Sequence, residues 1–412
     1  MWFAARALEQ QMNADQHDHA GAHQPCACGQ LARFAGRRLR TILCALGELR
    51  LQRAYYHCAH CGQGFFPRDR ALGVEDSYLS PGVQRMVGVV GAAVSFVEGA
   101  GLLRELAGLT VSARQVERDA ERLGAQAARF ERDDSQPPAS AAASTMYLGQ
   151  DGTGVPMRPE ALRGRVGKQA DGSAKTREMK LCTVWTAQDR DADGRPTRDP
   201  GSVSYTAAIE SAETQPTAHT LSPFAQRVER EARRSGFTAA SRQVVIGDGA
   251  AWLWNIASEC FPHAIQILDK FHAKEHVHEV AKAVFGAGTD LAQQWAQQRC
   301  EEMDRGQIQA LIAAIAAHAT HAERARTCAG YFTIHRQRMN YPTFETMGLC
   351  VGSGVVEAGC KTAIGVRMKH AGMHWTEPGA NAIAALRCCR LSRRYEDFWA
   401  WRAAQANPNA AA

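Results

Sequence analysis

Three acidic residues occupy positions from which they could act together on a phosphate group. Asp151 follows the apolar run STMYLGQ, Asp248 follows the apolar run SRQVVIG, and Glu357 lies within GSGVVEAGCK, a segment predicted to be helical. Divalent cations such as Mg²⁺ prefer oxygen ligands, and phosphoryl transfer commonly uses two cations about 3.5–4 Å apart. The three carboxylates are therefore predicted to be catalytic and to bind Mg²⁺ (or Mn²⁺).

A glycine follows each aspartate, at Gly152 and Gly249. Glycine leaves the backbone open where a large substrate must approach. An Asp-Gly pair after a strand is also an ordinary turn, and that simpler interpretation holds for either pair alone. Two such pairs at strand ends, together with a glutamate in a glycine-flanked helix, favour a functional site.

The elements around these residues alternate in type from about residue 145 onward. Three strand patterns are followed by a helix, a strand, a helix and a strand, which predicts an α/β layer with a mixed sheet. From about residue 270 to 345 the pattern is helical and rich in Ala and Gln, without strand signals. The sheet would place Asp151 and Asp248 at one edge, with Glu357 brought in by its helix.

Four blocks of the sequence resemble the catalytic blocks of bacterial insertion-sequence transposases of the ISKra type, which in turn resemble the Mutator-like branch of DDE transposases. The blocks are YLGQDGTGVP, VVIGDGAAWLWN, ILDKFHAKEHV and GSGVVEAGCKTAIGVRMKHAGMHW, in the family order, and the resemblance covers about residues 25–400. It implies a ribonuclease-H-like core in which Asp151, Asp248 and Glu357 bind the metal. The helical stretch would then be an insertion before the helix of Glu357.

Asp269 and His272 match the Asp-x-x-His signature of the Mutator-like branch. Residues three apart share one face of a helix, so Asp269 could orient a catalytic His272 towards the active site. Asp269 could equally cap the amino terminus of the helix that follows, with His272 an ordinary surface residue. The two interpretations are compatible.

Four cysteines near the amino terminus are candidate ligands of one structural Zn²⁺. Cys58 and Cys61 form a Cys-x₂-Cys-Gly knuckle, a good half-site for zinc, whereas Cys26 and Cys28 are separated by one residue instead of the family's two. Three alternatives follow: a distorted turn that still brings Cys26 to the metal, replacement of a ligand by His23, or a ribbon fold without zinc.

Three segments carry basic residues suited to double-stranded DNA. Residues 31–70 contain eight arginines and two acidic residues, and residues 361–402 contain eight basic and three acidic residues. Residues 97–124 resemble a helix-turn-helix, although any two-helix hairpin could give this pattern. A solvated basic face, or core packing around Met368, Met373 and Trp375, is the simpler alternative. The candidate DNA-binding residues are Arg37, Arg38, Arg114, Gln115, Arg118, Arg367, Lys369 and Trp375.

The chain has 412 residues, 48 basic and 42 acidic, which suggests two to four domains and a mild excess of positive charge. No apolar run is long enough to cross a bilayer and no secretory signal is present, so a cytoplasmic, nucleoid-associated protein is expected. We expect a disordered tail over 1–24, a zinc-ribbon-like module over 25–72, a helix-turn-helix-like module over 83–130 and a linker over 131–144. The core would occupy 145–274 and 346–402, around a helical insertion over 275–345, with a disordered tail over 403–412.

These features predict a DNA transposase that binds terminal inverted repeats, cleaves DNA by metal-dependent hydrolysis and joins the 3′-hydroxyl ends to target DNA. Synapsis of two DNA ends implies a homo-oligomer. Two alternatives stay open: a domesticated DNA-binding protein without catalysis, and a ribonuclease-H-like nuclease without strand transfer.

Overall fold

The computed structural model describes residues 2–133, 139–167, 169, 172–213 and 220–406. Residues 134–138 of the expected linker and 407–412 of the expected carboxyl-terminal tail lie outside the described residues. The chain divides into two compact units, one formed by residues 1–130 with 385–412 and the other by residues 131–384.

The first unit begins with a helix and a small antiparallel sheet. Helix α1 (Trp2–Ala14) is followed by strands β1 (His23–Pro25), β2 (Leu31–Cys44), β3 (Gly47–His57) and β4 (Gly64–Phe65), which pair in chain order. The sheet is followed by a short helix, α2 (Pro67–Ala71). Three longer helices come next: α3 (Pro81–Ala93), α4 (Phe96–Ala107) and α5 (Ala113–Glu131).

The expectation of a disordered tail over residues 1–24 is wrong for residues 2–14. Ala5, Leu8 and Met12 recur at helical spacing and pack against the apolar side chains of β2 and β3. The backbone N–H of Arg50 donates to the Glu9 carboxylate at 2.7 Å, which also fixes the helix to β3.

The second unit contains a five-stranded sheet. Its strands are β5 (Thr145–Pro156), β6 (Thr176–Thr186), β9 (Ser204–Ala208), β10 (Arg242–Gly247) and β11 (Ile265–Leu268); a separate hairpin is formed by β7 (Asp189–Arg190) and β8 (Pro196–Thr197). The order is β11-β10-β5-β6-β9, with β5, β6 and β9 antiparallel and with β10 and β11 parallel to β5. The predicted mixed sheet is confirmed.

Helices connect and extend this sheet. Helix α6 (Pro223–Arg234) precedes β10, and α7 (Ala251–Cys260) connects β10 to β11. After β11 come α8 (Lys270–Phe285), α9 (Asp290–Asp304), α10 (Ile308–Ala316), α11 (Glu323–His335) and α12 (Tyr341–Thr346), which occupy the stretch predicted to be helical. Next come α13 (Gly354–Gly359), a π-helical turn (Cys360–Gly365) and α14 (Val366–Met368).

Two closing helices, α15 (Glu377–Leu391) and α16 (Tyr395–Ala406), lead back into the first unit. There the Tyr395 hydroxyl donates to the carbonyl of Arg85 at 2.8 Å, and the Arg402 guanidinium donates to Gln84 at 2.7 Å. Residues 385–406 therefore complete the packing of α3 and its neighbours.

Across the part of the chain that the structure describes, we find no helix with the length and apolar character that a membrane span requires.

Candidate functional site

Strand register brings Asp151 and Asp248 to the same end of the sheet. Strands β5 and β10 are parallel and pair as far as Gly149 opposite Ile246, and each aspartate lies two residues beyond this pair. The charge of Asp248 also acts on the Asp151 carboxyl, so the two groups are near one another. Strand β5 does not end at Asp151, as its apolar run suggested, because pairing with β6 carries it on to Pro156.

The surroundings of Asp151 disfavour its negative charge. Burial raises the pKa of the Asp151 carboxyl, and the charges of Asp248 and Glu178 raise it further. Hydrogen bonds from the Cys360 thiol and from the N–H of Gly152, the latter at 2.6 Å, act in the opposite direction. Two neighbouring carboxylates in this environment form a site where a cation would be stabilised.

The helical segment that contains Glu357 packs on the face of the sheet to which Gly149 belongs. Gly149 leaves room for Val356, because a Cβ at position 149 would overlap that side chain, and Gly359 lies against Leu181 and Tyr205. The segment therefore reaches Asp151 through Cys360. The π-helical turn begins at Cys360, and such turns are frequent at functional sites.

Glu357 itself does not close a three-carboxylate cluster with the two aspartates. Its side chain is 64% exposed and pairs with Lys361 at 3.8 Å, one turn further along the helix. Among the described residues, the group of three or more Cys, His, Asp or Glu side chains whose ligand atoms all lie within 4.8 Å of one another is a set of four cysteines.

Asp151 and Asp248 fit a divalent cation as a donor pair. They supply carboxylate oxygens, and a bound cation would stabilise the charged form of Asp151, which burial and, to a smaller extent, the charge of Asp248 disfavour. Glu357 would join them only by leaving Lys361.

The capping interpretation of Asp269 is confirmed. Its Oδ1 accepts hydrogen bonds from the N–H groups of Phe271 at 2.7 Å and His272 at 3.0 Å. Its Oδ2 accepts from the N–H of Ser353 at 2.6 Å and from the Ser353 hydroxyl. Asp269 therefore also ties the residues before α13 to the end of β11, and in this way it positions the segment of Glu357.

His272 lies on the first turn of α8, and its side chain is 37% exposed. Its Nδ1 lies 3.3 Å from Glu275, and its ring packs edge-on against His276 with centroids 4.7 Å apart. These partners belong to α8, so its catalytic role rests on the family resemblance.

The four cysteines of the first unit form a compact cluster that could bind zinc. Sγ of Cys26 lies 3.6 Å from Sγ of Cys61, and Sγ of Cys28 lies 3.6 Å from Sγ of Cys58. A tetrahedral Zn²⁺ with Zn–S bonds of about 2.3 Å separates its sulfurs by about 3.8 Å, whereas a disulfide needs about 2.05 Å. The N–H groups of Cys61 and His60 lower the pKa of Cys58, whereas the pKa values of its neighbours Cys28 and Cys61 are raised, so without metal the thiolate forms first at Cys58.

The one-residue spacing between Cys26 and Cys28 is accommodated by a shorter turn. The N–H of Cys26 donates to the carbonyl of Gln30 at 2.8 Å, whereas the N–H of Cys58 donates to Gln63 one residue later in its turn, also at 2.8 Å. Both turns use a glycine with positive φ, Gly29 at +84° and Gly62 at +71°. Of the three alternatives, the structure therefore shows the short turn, with Cys26 in the cluster and His23 outside it.

Most arginines of the basic β2–β3 segment are engaged within the first unit. Arg37 pairs with Asp18 at 2.7 Å, and Arg40 and the buried Arg53 share Asp69. Arg38 is exposed, and its guanidinium lies 4.3 Å from the centre of the Tyr55 ring. Arg38 is therefore available to DNA phosphates, whereas the Arg37 side chain is 21% exposed and held by its ion pair.

The predicted helix-turn-helix corresponds to α4 and α5. Gly108 ends α4 in the left-handed conformation, and the Ser112 hydroxyl accepts from the N–H of Gln115 at 3.2 Å, so Ser112 caps α5. Arg114 and Arg118 are exposed near the start of α5. Gln115 is 7% exposed and bonds to Asp119, so the prediction that it contacts DNA is not supported.

Two of the three candidates near the carboxyl end are core residues. Arg367 is fully buried, with its guanidinium 5.0 Å from the centre of the Trp375 ring. Trp375 is 6% exposed and donates from its indole to the carbonyl of Met368 at 3.0 Å. Their expected contact with DNA is wrong because aromatic and aliphatic contacts bury both. Lys369 is exposed and donates to the Thr153 hydroxyl, two residues from Asp151.

Sequence reasoning missed the roles of Ser353 and Cys360. Cys360 follows Glu357 by three residues, so helical periodicity could have placed both on neighbouring positions of one face. Ser353 carried no signal, because its partner Asp269 lies 84 residues earlier in the chain.

Comparison with solved structures shows a likeness to a Drosophila P element transposase strand transfer complex. The TM-score is 0.26 and the sequence identity 10%, over 79% of this chain and 80% of that chain. No family model matches the sequence, and no curated protein matches it significantly. The function is therefore argued from the site.

Proposed function

We propose that this chain is a metal-dependent DNA transposase of the DDE type, with a ribonuclease-H-like core in the second unit. The observation that carries the proposal is the register of β5 and β10, which pair as far as Gly149 and Ile246 and so end near Asp151 and Asp248 at one end of the sheet. The order of the strands and helices and the packing of the Glu357 segment over Gly149 support it.

In this proposal Asp151 and Asp248 hold Mg²⁺ (or Mn²⁺) between them, and Glu357 adds its carboxylate after leaving Lys361. When bound, divalent cations make the attacking water or 3′-hydroxyl a better nucleophile and stabilise charge on the phosphate. Lys369, exposed beside Thr153, supplies positive charge where the DNA backbone would approach.

The first unit would bind the ends of the element. Exposed Arg38, Arg114 and Arg118 are suited to DNA phosphates, and a structural Zn²⁺ on the four cysteines would hold the sheet that carries Arg38. The partner would be double-stranded DNA at the terminal repeats and at the target. Synapsis of two ends would require a homo-oligomer.

The test uses the full chain and labelled duplexes from the DNA that flanks its coding sequence, with Mg²⁺. Wild type is expected to cleave the duplexes and to join their 3′ ends to a plasmid. Asp151→Asn and Asp248→Asn are expected to abolish both steps while leaving duplex binding unchanged, because Asn keeps the shape and loses the anionic oxygen. Asp193→Asn is the matched control, since Asp193 is 68% exposed in the β7–β8 hairpin.

Three outcomes would overturn the proposal. Cleavage without joining would indicate a nuclease, and binding without cleavage by the wild type would indicate a DNA-binding protein alone. Strand transfer retained by Asp151→Asn would remove that residue from the active site.

A further inference from the structure

The loop that carries Asp248 is held from outside the sheet by the helical stretch that follows β11. We propose that Tyr331 of α11, packed against His335 of the same helix, is a positioning residue that fixes the orientation of Asp248. The inference rests on the proposed function, because Asp248 matters as a metal ligand only there. It gives the helical stretch a role in the active site beyond that of a spacer.

The contact with this loop is made by Tyr331. Its hydroxyl donates a hydrogen bond to the backbone carbonyl of Asp248 at 2.6 Å. The bond fixes the peptide that joins Asp248 to Gly249, and the direction of the Asp248 side chain depends on that peptide.

The Tyr331 ring also fills the space beside Gly249. Gly249 has a φ of +98°, and a Cβ built there would lie 2.5 Å from two atoms of the ring. Glycine is thus required at this position by its backbone conformation and by the ring. Loop and ring fit each other closely, so a shift of either one must move the other.

His335 supports Tyr331 from one turn further along α11. Its side chain is buried, at 5% exposure, and its Nδ1 accepts a hydrogen bond from Arg338 at 3.0 Å, which holds the ring in one orientation.

Helix α11 is held in place by side chains of α8. The His276 ring packs edge-on against Tyr331 with centroids 4.7 Å apart, and its Nδ1 lies 2.7 Å from the Arg324 guanidinium. Burial lowers the pKa of His276 to about 4, so this ring is a neutral acceptor. Tyr331 is thus fixed on both sides, by His276 and by His335, whose ring centroid lies 4.8 Å away.

The test compares Tyr331→Phe with Tyr395→Phe. Both remove a tyrosine hydroxyl that donates to a backbone carbonyl, that of Asp248 and that of Arg85 respectively, and both keep the ring. Mn²⁺ binding is measured by calorimetry on the full chain, and hydrogen exchange of residues 247–251 is measured without metal. Melting temperature reports any general loss of stability.

Tyr331→Phe is expected to weaken Mn²⁺ binding by about 10-fold or more, as loss of residues that orient a metal ligand does, and to speed exchange of residues 247–251. Tyr395→Phe is expected to do neither. Gly249→Ala places a methyl group against the Tyr331 side chain. This variant is also expected to weaken Mn²⁺ binding and to speed exchange of residues 247–251, because it displaces the loop from Tyr331.

If Tyr331→Phe matches Tyr395→Phe in both metal affinity and exchange, the inference is overturned. If wild type binds no Mn²⁺, or Asp248→Asn keeps its affinity, the proposed metal site fails. In that case the exchange of residues 247–251 still decides whether Tyr331 fixes the loop.

Discussion

Asp151 shows that burial of a carboxylate in a site makes its charged form less stable. The residue is half-buried, and burial together with Asp248 and Glu178 makes its charged form unfavourable. A group with a raised pKa in the folded state binds its proton more tightly there than in the unfolded chain. Its contribution to stability is therefore lost as pH rises through the window between its ordinary value of 3.8 and its raised value.

Asp151→Asn should consequently be more stable than the wild type at neutral pH, in the presence of a chelator. The difference should shrink as pH is lowered towards the ordinary carboxyl pKa, because the wild-type carboxyl then also becomes neutral. Melting temperatures of both proteins across a pH series provide the measurement. A variant less stable than the wild type at neutral pH would mean that the bonds from Cys360 and Gly152 outweigh burial.

At this scale the sequence predicts charge and periodicity but not burial. Asp151 and Asp248 could be found because strand ends with following glycines leave a pattern in the chain. For Trp375 the sequence leaves DNA contact and core packing both open, and its burial beside a β-bridge to the distant Met157 favours core packing. The burial of Arg367 has no sign in the sequence, because an arginine there is equally typical of a basic surface. The expectation for Gln115 fails for a similar reason: its side chain is buried and donates a hydrogen bond to Asp119, one turn further along α5.

Among the elements, the two cysteine turns differ in the spacing of their cysteines, yet both contribute two sulfurs to one cluster. Each places two sulfurs on one side and ends at a glycine with positive φ. Zn²⁺ would then connect the turns before β2 and after β3, so that the ends of the sheet are held without a large core.

Cys28→Ser is expected to lower bound zinc from one per chain towards none and to lower the melting temperature, because three thiolates hold the metal more weakly than four. Cys260→Ser, at the end of α7 and outside the cluster, is the matched control. Zinc content is measured by a colorimetric chelator after thiol modification. Equal zinc content in the two variants would contradict a four-cysteine site.

Strands and helices were predicted better than their ends and contacts. The succession of three strands, helix, strand, helix and strand can be predicted because apolar residues recur every two residues in the strands and about every 3.6 residues in the helices. The continuation of β5 to Pro156 was not, since it depends on pairing with β6. Helix α1 was missed because its stability comes from β3 and not from its own composition.

For the molecule as a whole, positive charge is divided between residues that build the fold and residues that remain exposed. Arg37, Arg40 and Arg53 neutralise Asp18 and Asp69 inside the first unit. The exposed arginines Arg114 and Arg118 lie on one turn of α5. The number of arginines in the first unit therefore overstates the number of groups that can contact DNA.

Arg114→Ala and Arg118→Ala are each expected to weaken duplex binding and to lower the slope of log affinity against log salt by about 1, because each removes one phosphate contact. Arg195→Ala is the control, since Arg195 is 76% exposed and pairs with Asp193 in the β7–β8 hairpin. Fluorescence anisotropy across a salt series gives both quantities. An unchanged slope in the two α5 variants would exclude this helix from the DNA interface.

The unit that contains the start of the chain is completed by residues 385–412. Gln84 and Arg85 are synthesised 318 and 310 residues before Arg402 and Tyr395, the residues of α16 that bond to them. The second unit, contiguous from 131 to 384, has been synthesised in full by then. A nascent chain would thus complete the second unit before the first, whose earliest helices wait for the last helix of the unit.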